Sequence, residues 1–117
     1  MLLGAMLSII EQAGIDVLTL TEGLEIDEFL QSRLTRMEVR RKVDTISDTV
    51  AHMPTESKAS LPEIDWEGWR ACAGNLARGG LIGDDALWFA VRSLIPATLT
   101  WLRIYRHNQP KLFEMTL

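Results

Sequence analysis

The sequence has a single cysteine, Cys72, among its 117 residues. One cysteine cannot form an internal disulfide, and the residues around it do not supply the further Cys and His ligands that a zinc site needs. We therefore predict no disulfide and no metal site, and we expect a reducing, cytoplasmic environment. No phosphate-binding Gly-Lys-Ser/Thr loop is present either, so we expect no cofactor.

Positive charge is also scarce. The chain has 12 Lys and Arg against 16 Asp and Glu, for a net charge of -4 and only two histidines. Broad, sequence-independent binding to nucleic acid usually requires a basic protein. Any contact with RNA would therefore have to be local.

Long hydrophobic runs are absent. The apolar start from Met1 to Ile10 has no preceding Lys or Arg, and Glu11, Asp16 and Glu22 interrupt the adjoining segment well short of a membrane span. We expect a core helix here and no membrane association. With 47% hydrophobic and 24% charged residues, the composition is that of a globular protein, and the length predicts one domain over residues 1–117.

Alternating runs rich in Val, Ile and Thr are missing, so no strands are expected. Apolar residues instead recur at intervals of three and four, which is typical of amphipathic helices. The predicted fold is all-α, an up-and-down bundle of four or five helices with short connections. The predicted segments are 2–20, a short turn at 27–30 that buries Phe29, a long helix opened by a Thr35–Glu38 capping box, 66–77, and 86–105.

Prolines and glycines predict the breaks between these helices. Pro54 should end the long helix, and 55–62 reads as an exposed linker. Pro96 should kink the last helix, which Asp84 or Asp85 should cap. A flexible segment is expected before that cap because glycines are frequent there: Gly74, Gly79, Gly80 and Gly83.

Several motifs occur in an order that carries a resemblance. Gly23-Leu24 and Phe29-Leu30 precede a long Val/Ile helix closed by Met53-Pro54, and Pro62-Glu63-Ile64-Asp65-Trp66 comes next. Farther along come Asp84-Asp85, Trp88 and Leu94-Ile95-Pro96. This order resembles the HepT-like family of the HEPN superfamily, in which a Pro-Glu-Ile-Pro-Trp element leads into the active-site segment. The resemblance spans most of the chain and implies a HEPN-like bundle.

The resemblance also implies a chemistry whose residues this sequence lacks. HepT-like toxins have an Arg, four residues, a His, one residue and a Tyr. The Arg and the His act in metal-independent RNA cleavage at a dimer cleft. A partner nucleotidyltransferase can modify the Tyr. Here Gly74 stands at the Arg position and Asn75 is retained, while Arg78 or Gly79 falls at the His position. The Tyr position holds Gly80 or Leu81, neither of which has a hydroxyl group.

Loss of the histidine matters because RNA cleavage by the ribose hydroxyl requires a group that titrates near neutral pH. Arg78 cannot replace it, since a guanidinium stays protonated. His52 is predicted to cap the end of the long helix, and the spacing around His107 does not reproduce the motif. Asn75 and Arg78 remain as weak catalytic candidates.

Three hypotheses stay open at this point. The first is a degenerate HepT-like protein of a toxin–antitoxin type system, acting through dimerisation and through binding of RNA or a nucleotidyltransferase antitoxin. The second is an active ribonuclease with a diverged motif using Arg78, Arg70 or His107. The third is an unrelated helical interaction module. The candidate binding residues are Arg70, Asn75, Arg78 and Asp48, although a run of charges on a helix is usually a solvated face.

We also expect a homodimer, because 47% hydrophobic residues and four tryptophans exceed what a few short helices bury easily. If the interface is like that of the family, the 74–83 segments of two chains face each other across a cleft. Arg78 would make that cleft locally positive.

Overall fold

The computed structural model describes residues 2–114, which contain helices and no strand, so the all-α prediction is confirmed. A π-helical turn, Ala90–Leu94, links α6 to α7, and a 3-10 turn, Pro110–Phe113, comes after α7. The helices are α1 (Leu3–Thr21), α2 (Ile26–Gln31), α3 (Arg33–His52), α4 (Thr55–Ala59), α5 (Trp66–Arg78), α6 (Gly80–Phe89) and α7 (Ile95–Asn108).

The second long helix, α3, runs antiparallel to the first. Asp16, near the end of α1, lies 3.1 Å from the Lys42 ammonium in the first half of α3. At the opposite end, Met6 lies beside His52, the last residue of α3. Neighbouring helices joined by a short connection are expected to pack in this way.

The helix α5 runs antiparallel to α3 in turn. Trp66 at the start of α5 and Ala51 near the end of α3 line one cavity. Gly79, just after α5, lines a groove with Arg40 in the first half of α3. The order of contacts along the two helices is therefore reversed.

The last long helix, α7, is antiparallel to both α1 and α5. Arg106 near its end donates to Glu11 of α1 at 2.6 Å, whereas Leu99 lies against Gly14 farther along α1. Trp69 of α5 donates its indole N–H to the Thr98 hydroxyl at 3.0 Å. The four long helices thus alternate in direction, as the up-and-down prediction requires.

Buried aliphatic side chains from α1, α3, α5 and α7 form one continuous core. Leu7, Ile10 and Val17 supply the α1 stripe, which packs as predicted for a core helix. Phe29 of α2 is fully buried and lies 5.1 Å from the Trp88 ring, centroid to centroid. Within residues 2–114, α1 alone is long and apolar enough to cross a membrane, a test that core helices also pass.

The predicted start of the long helix was wrong by three residues. Ser32, not Thr35, caps α3, and its hydroxyl accepts from the Thr35 amide at 3.4 Å. A reciprocal capping box is present instead at the start of α2, between Glu25 and Glu28. Ser32 takes the cap because it is the single extended residue between α2 and α3, so the chain has already entered the helix at Thr35.

The predicted linker is mostly exposed, as expected, but it is not irregular throughout. Thr55–Ala59 form the short helix α4, which has no buried residue, and Leu61 beyond it is fully buried. The Trp66 indole N–H donates to the carbonyls of Lys58 and Leu61 at 3.1 and 3.0 Å. These bonds tie the segment to the start of α5, which composition alone cannot reveal.

The predicted flexible glycine segment is helical, and the predicted caps at Asp84 and Asp85 were wrong. Gly79 precedes α6 with a φ of 69°, and both aspartates lie within that helix. Gly83, Ala86 and Leu87 of α6 are buried, and a Cβ added at Gly83 would be in ordinary contact, 3.5 Å from the Leu76 carbonyl oxygen of α5. Packing of α6 in the bundle therefore overrides the low helix propensity of glycine.

Around Pro96 the chain departs from regular α geometry slightly earlier than predicted. The π-helical turn ends at Leu94, and Pro96 is the second residue of α7. Proline has no N–H to donate, and π-turns are frequent where an α-helical ladder is interrupted.

Candidate functional site

The starts of α3 and α6 form an open groove of about 400 Å³, which we call the arginine groove. The α5–α6 junction at Gly79 and Gly80 forms part of its wall. Its basic residues come from α3, where steps of four residues place Arg36 and Arg40 on one side of the helix. The lining residues are Arg36, Met37, Arg40, Arg41, Asp44, Gly79, Gly80, Gly83, Asp84 and Leu87.

Ion pairs and hydrogen bonds orient the three arginines of this groove. Arg40 donates to Asp44 at 3.0 Å, and Arg41 donates to Glu38 at 2.6 Å. The Arg36 guanidinium donates to the carbonyl of Leu30. Both ion pairs are partly exposed, so they are weak and leave guanidinium N–H groups open to solvent.

The groove brings three arginines together although the chain is acidic. Asp44 and Asp84 also line it, and Glu38 pairs with Arg41. A hydrogen bond from Arg41 lowers the pKa of Glu38 and raises the pKa of Arg41 itself. Guanidinium groups on such a surface can bind phosphate even when the protein as a whole is not basic.

The motif segment borders this groove. Arg78 is the exposed last residue of α5, directly before Gly79. Asn75 is also exposed and lines a neighbouring cleft between α5 and α6 with Ile82 and Phe89. The structure therefore keeps Asn75 and Arg78 at the same end of α5.

Two other predicted binding residues lie elsewhere. Arg70 is exposed and lines a cavity between α3 and α5 near Trp66. Asp48 is exposed on the side of α3 that borders α1, beside Met6 and His52. The structure does not bring Asp48 into the arginine groove, where Asp44 supplies a carboxylate instead.

Both histidines lie at the opposite end of the bundle from Arg78. His52 ends α3, and its Nδ1 lies 2.7 Å from the Asp48 carbonyl oxygen, as a residue capping the helix terminus would. His107 is in the last turn of α7. Because the 13-residue α5 separates these ends by about 20 Å, neither imidazole can reach Arg78 within one chain.

The backbone at Gly79 bears on the missing histidine. Its φ of 69° and ψ of -169° lie in a region that essentially only glycine occupies. A histidine side chain at this position would strain the backbone. Gly74, at the position of the family's arginine, is exposed with open space around it.

Cys72 lies next to these residues but has little chemistry to offer. Its side chain is buried on α5, and its Sγ lies 3.6 Å from the Ala86 carbonyl oxygen. Burial raises the pKa of the thiol, so the nucleophilic thiolate is disfavoured. Over residues 2–114, the structure contains no group of three His, Cys, Asp or Glu side chains that could hold a metal ion.

Sequence reasoning missed the arginine groove because it treated the charges of α3 as one solvated face. The spacing of Arg36, Arg40 and Asp44 was a usable signal, since these residues share one side of the helix. What the sequence could not supply was the neighbour of that side. The α5–α6 junction occupies this place only in the folded bundle.

Comparison with known proteins gives one similarity. The chain is 24% identical over 82 residues to a Methanocaldococcus jannaschii protein named Putative RNase MJ0127, which covers 69% of this chain and 68% of that protein. No family model and no solved structure matches the chain. The similarity therefore concerns a protein named as an RNase and goes no further.

Proposed function

We propose that this chain is a catalytically degenerate HepT-like protein that binds RNA as a homodimer without cutting it. The observation that carries the proposal is the arginine groove, which adjoins a motif segment without a histidine. The similarity to an archaeal protein named as an RNase supports a ribonuclease-like origin.

Binding without cleavage is expected because the arginines and the histidines lie apart. Arg36, Arg40 and Arg78 can contact phosphates, but guanidinium groups do not exchange protons near neutral pH. His52 and His107 lie at the other end of the bundle. The groove therefore has arginines for binding and no histidine beside them.

A homodimer is supported by exposed apolar side chains next to the motif segment. Leu81, Ile82 and Phe89 of α6 are 81%, 41% and 52% exposed, and Met37 beside the groove is 56% exposed. Large exposed apolar side chains are typical of an interaction face. Pairing through α6 would place the two 74–83 segments across a shared cleft.

The toxin–antitoxin setting and a nucleotidyltransferase antitoxin rest on the family resemblance. The absence of a hydroxyl at Gly80 and Leu81 bears on that partner, because the position that it modifies in the family has no acceptor here. Such a partner would therefore bind this chain and would not modify it at this position.

The test measures binding and cleavage of a labelled single-stranded RNA by the purified protein, with and without a chelator. We expect binding without cutting. Arg40→Gln should weaken RNA binding by about tenfold. It should also reduce the slope of log affinity against log salt concentration by about one, the value for one lost phosphate contact. Arg103→Gln, which removes an exposed charge on α7, is the matched control and should change neither value.

Other results would contradict specific parts of the proposal. Chelator-resistant cutting that Arg78→Ala abolishes would identify an active ribonuclease with a diverged motif. If Arg40→Gln and Arg103→Gln have the same RNA affinity, the arginine groove is not the RNA-binding site. A monomeric mass by light scattering at micromolar concentration would overturn the homodimer and favour an unrelated interaction module.

A further inference from the structure

A second cavity, of about 470 Å³, lies between α3, α4 and α5, away from the arginine groove. We call it the tryptophan cavity, since Trp66 lines it. It stays open because the facing surfaces of α3 and α5 present small side chains here, namely Ser47, Ala51 and Ala73. Its volume lies within the range of small-molecule sites.

The charged residues of the tryptophan cavity are two cations and one carboxylate: Lys58, Arg70 and Glu67. Arg70 and Glu67 lie 3.7 Å apart, with side chains 81% and 84% exposed, so this pair is loose. Lys58 is half-buried and has no carboxylate within 4.0 Å among residues 2–114. The cavity therefore has an uncompensated cation at its rim.

The remaining walls offer two indole rings, those of Trp66 and Trp69, and one unused hydroxyl. Hydrogen bonds to the carbonyls of Lys58 and Leu61 hold the Trp66 indole in place. The Ser47 Oγ is buried and has no hydrogen-bond partner in the described part of the chain. A buried hydroxyl without a partner is unfavourable, so a polar atom of a ligand would be stabilised beside it.

From this geometry we propose that the tryptophan cavity binds a small organic anion with a planar ring, of the class of nucleoside monophosphates. The ring packs against Trp66, the anionic group lies between Lys58 and Arg70, and a polar ring atom bonds to Ser47. Aromatic side chains favour stacking with bases, and charge-assisted bonds favour phosphate. The proposal does not depend on RNA binding in the arginine groove.

The experiment tracks the indole N–H signals of the four tryptophans by NMR during titration with AMP, adenosine and inorganic phosphate. AMP should shift the Trp66 signal and leave that of Trp101, which lies on α7, in place. Adenosine and phosphate should each bind about tenfold more weakly, because each supplies only part of the interaction. A Trp66→Phe variant assigns the signal.

Three variants locate the site. Lys58→Ala and Arg70→Ala should each weaken AMP about tenfold without changing adenosine affinity. Ala73→Leu fills the cavity without altering charge and should abolish both interactions while the helical circular dichroism is retained. Arg103→Ala removes an equally exposed cation elsewhere and is the control.

The outcomes separate this proposal from RNA binding in the arginine groove. A 5′-phosphorylated RNA trinucleotide that shifts Trp66 when AMP does would place an RNA end in the cavity, and AMP alone would indicate a free nucleotide. Absence of a Trp66 shift with AMP, GMP, CMP and UMP at about millimolar concentration would overturn the proposal. AMP affinity that Ala73→Leu leaves unchanged would also overturn the proposal. This holds whether or not Arg40→Gln weakens RNA binding.

Discussion

The two ends of the bundle are built differently. At the closed end, where α5 begins, Leu61 is fully buried and the amide of Glu63 donates to the Tyr105 hydroxyl at 3.4 Å. At the open end, where α5 finishes, Gly79 and Gly80 have positive φ values and Leu81 is 81% exposed. Side chains thus cover the backbone at one end and leave it accessible at the other.

This difference sets the arginine groove apart from the loop segments that hydrogen bonds fix at the closed end, where the tryptophan cavity lies. At the closed end, loop segments are fixed by Trp66 and Asp65, whose side chains bond to backbone groups. At the open end, the arginines of α3 bond mainly to exposed carboxylates and stay accessible. Functional surfaces are expected where a fold leaves charge and backbone uncovered.

The largest expected effect tests the packed interior near the closed end. Trp69→Ala removes a side chain that is 1% exposed and leaves the Thr98 hydroxyl without its indole donor. We expect a loss of about 3–5 kcal/mol in the free energy of unfolding, measured with urea. Trp101→Ala, at a half-buried site, should cost less, and equal losses would contradict the comparison.

The next effect concerns the backbone of the open end. Gly79→His should reduce stability by about 1–3 kcal/mol, since its φ and ψ suit glycine alone. Gly74→Arg, in open space on an exposed helix face, should raise stability by about 0.5–1 kcal/mol. The midpoint temperatures of thermal unfolding of the two variants, compared with that of the parent protein, test both predictions. A Gly79 variant as stable as the parent would remove the strain argument.

A smaller effect compares one cap from each end. Asp65 accepts from the Gly68 amide at 2.8 Å, whereas Ser32 accepts from the Thr35 amide at a longer 3.4 Å. Asp65→Ala should therefore cost about 1 kcal/mol, and Ser32→Ala should cost less. Urea midpoints with an unchanged slope would measure the difference, and the reverse order would count against it.

The smallest effect is a pH dependence at the open end. Hydrogen bonds from Gln12 and Lys42 lower the pKa of Asp16 below 3.8, and one from Arg41 lowers the pKa of Glu38 below 4.5. Lowered folded-state values give stability that is present above the unfolded pKa values and lost as the pH falls through the folded ones. The protection factors of amides in the first half of α3, which compare each exchange rate with the intrinsic rate at the same pH, should therefore fall below about pH 4.

The start of α5 should be affected less by the same acidification. Lys42→Met removes the partner of Asp16 and should reduce the acid sensitivity of the contact between α1 and α3. A uniform fall of the protection factors across all helices would contradict a local effect.

Most of the fold could be predicted because its long helices have apolar stripes that the sequence displays directly. The stripes of α1 and α3 lead to Leu7 and Val43, both fully buried. The wrong predictions came from local sequence signals, which tertiary contacts overrode. Glycines near Gly83 suggested flexibility, but packing against α5 fixes α6, and the composition of α4 hid its attachment to Trp66.

The candidate site was only partly predictable for the same physical reason. Asn75 and Arg78 were identified from a motif, which is local in sequence. The arginine groove requires α3 to meet the α5–α6 junction, and no pattern within α3 specifies that neighbour. Asp48, also named from the sequence, lies one helical turn beyond Asp44, where it borders α1.

The buried thiol of Cys72 can report how often the contact between α5 and α6 opens. It is the single cysteine, it is 4% exposed, and its Sγ points to the Ala86 carbonyl across the contact of α5 with α6. A thiol reagent can reach it only when those helices separate. The rate of labelling in the folded protein therefore counts openings of the α5–α6 contact, without any engineered probe.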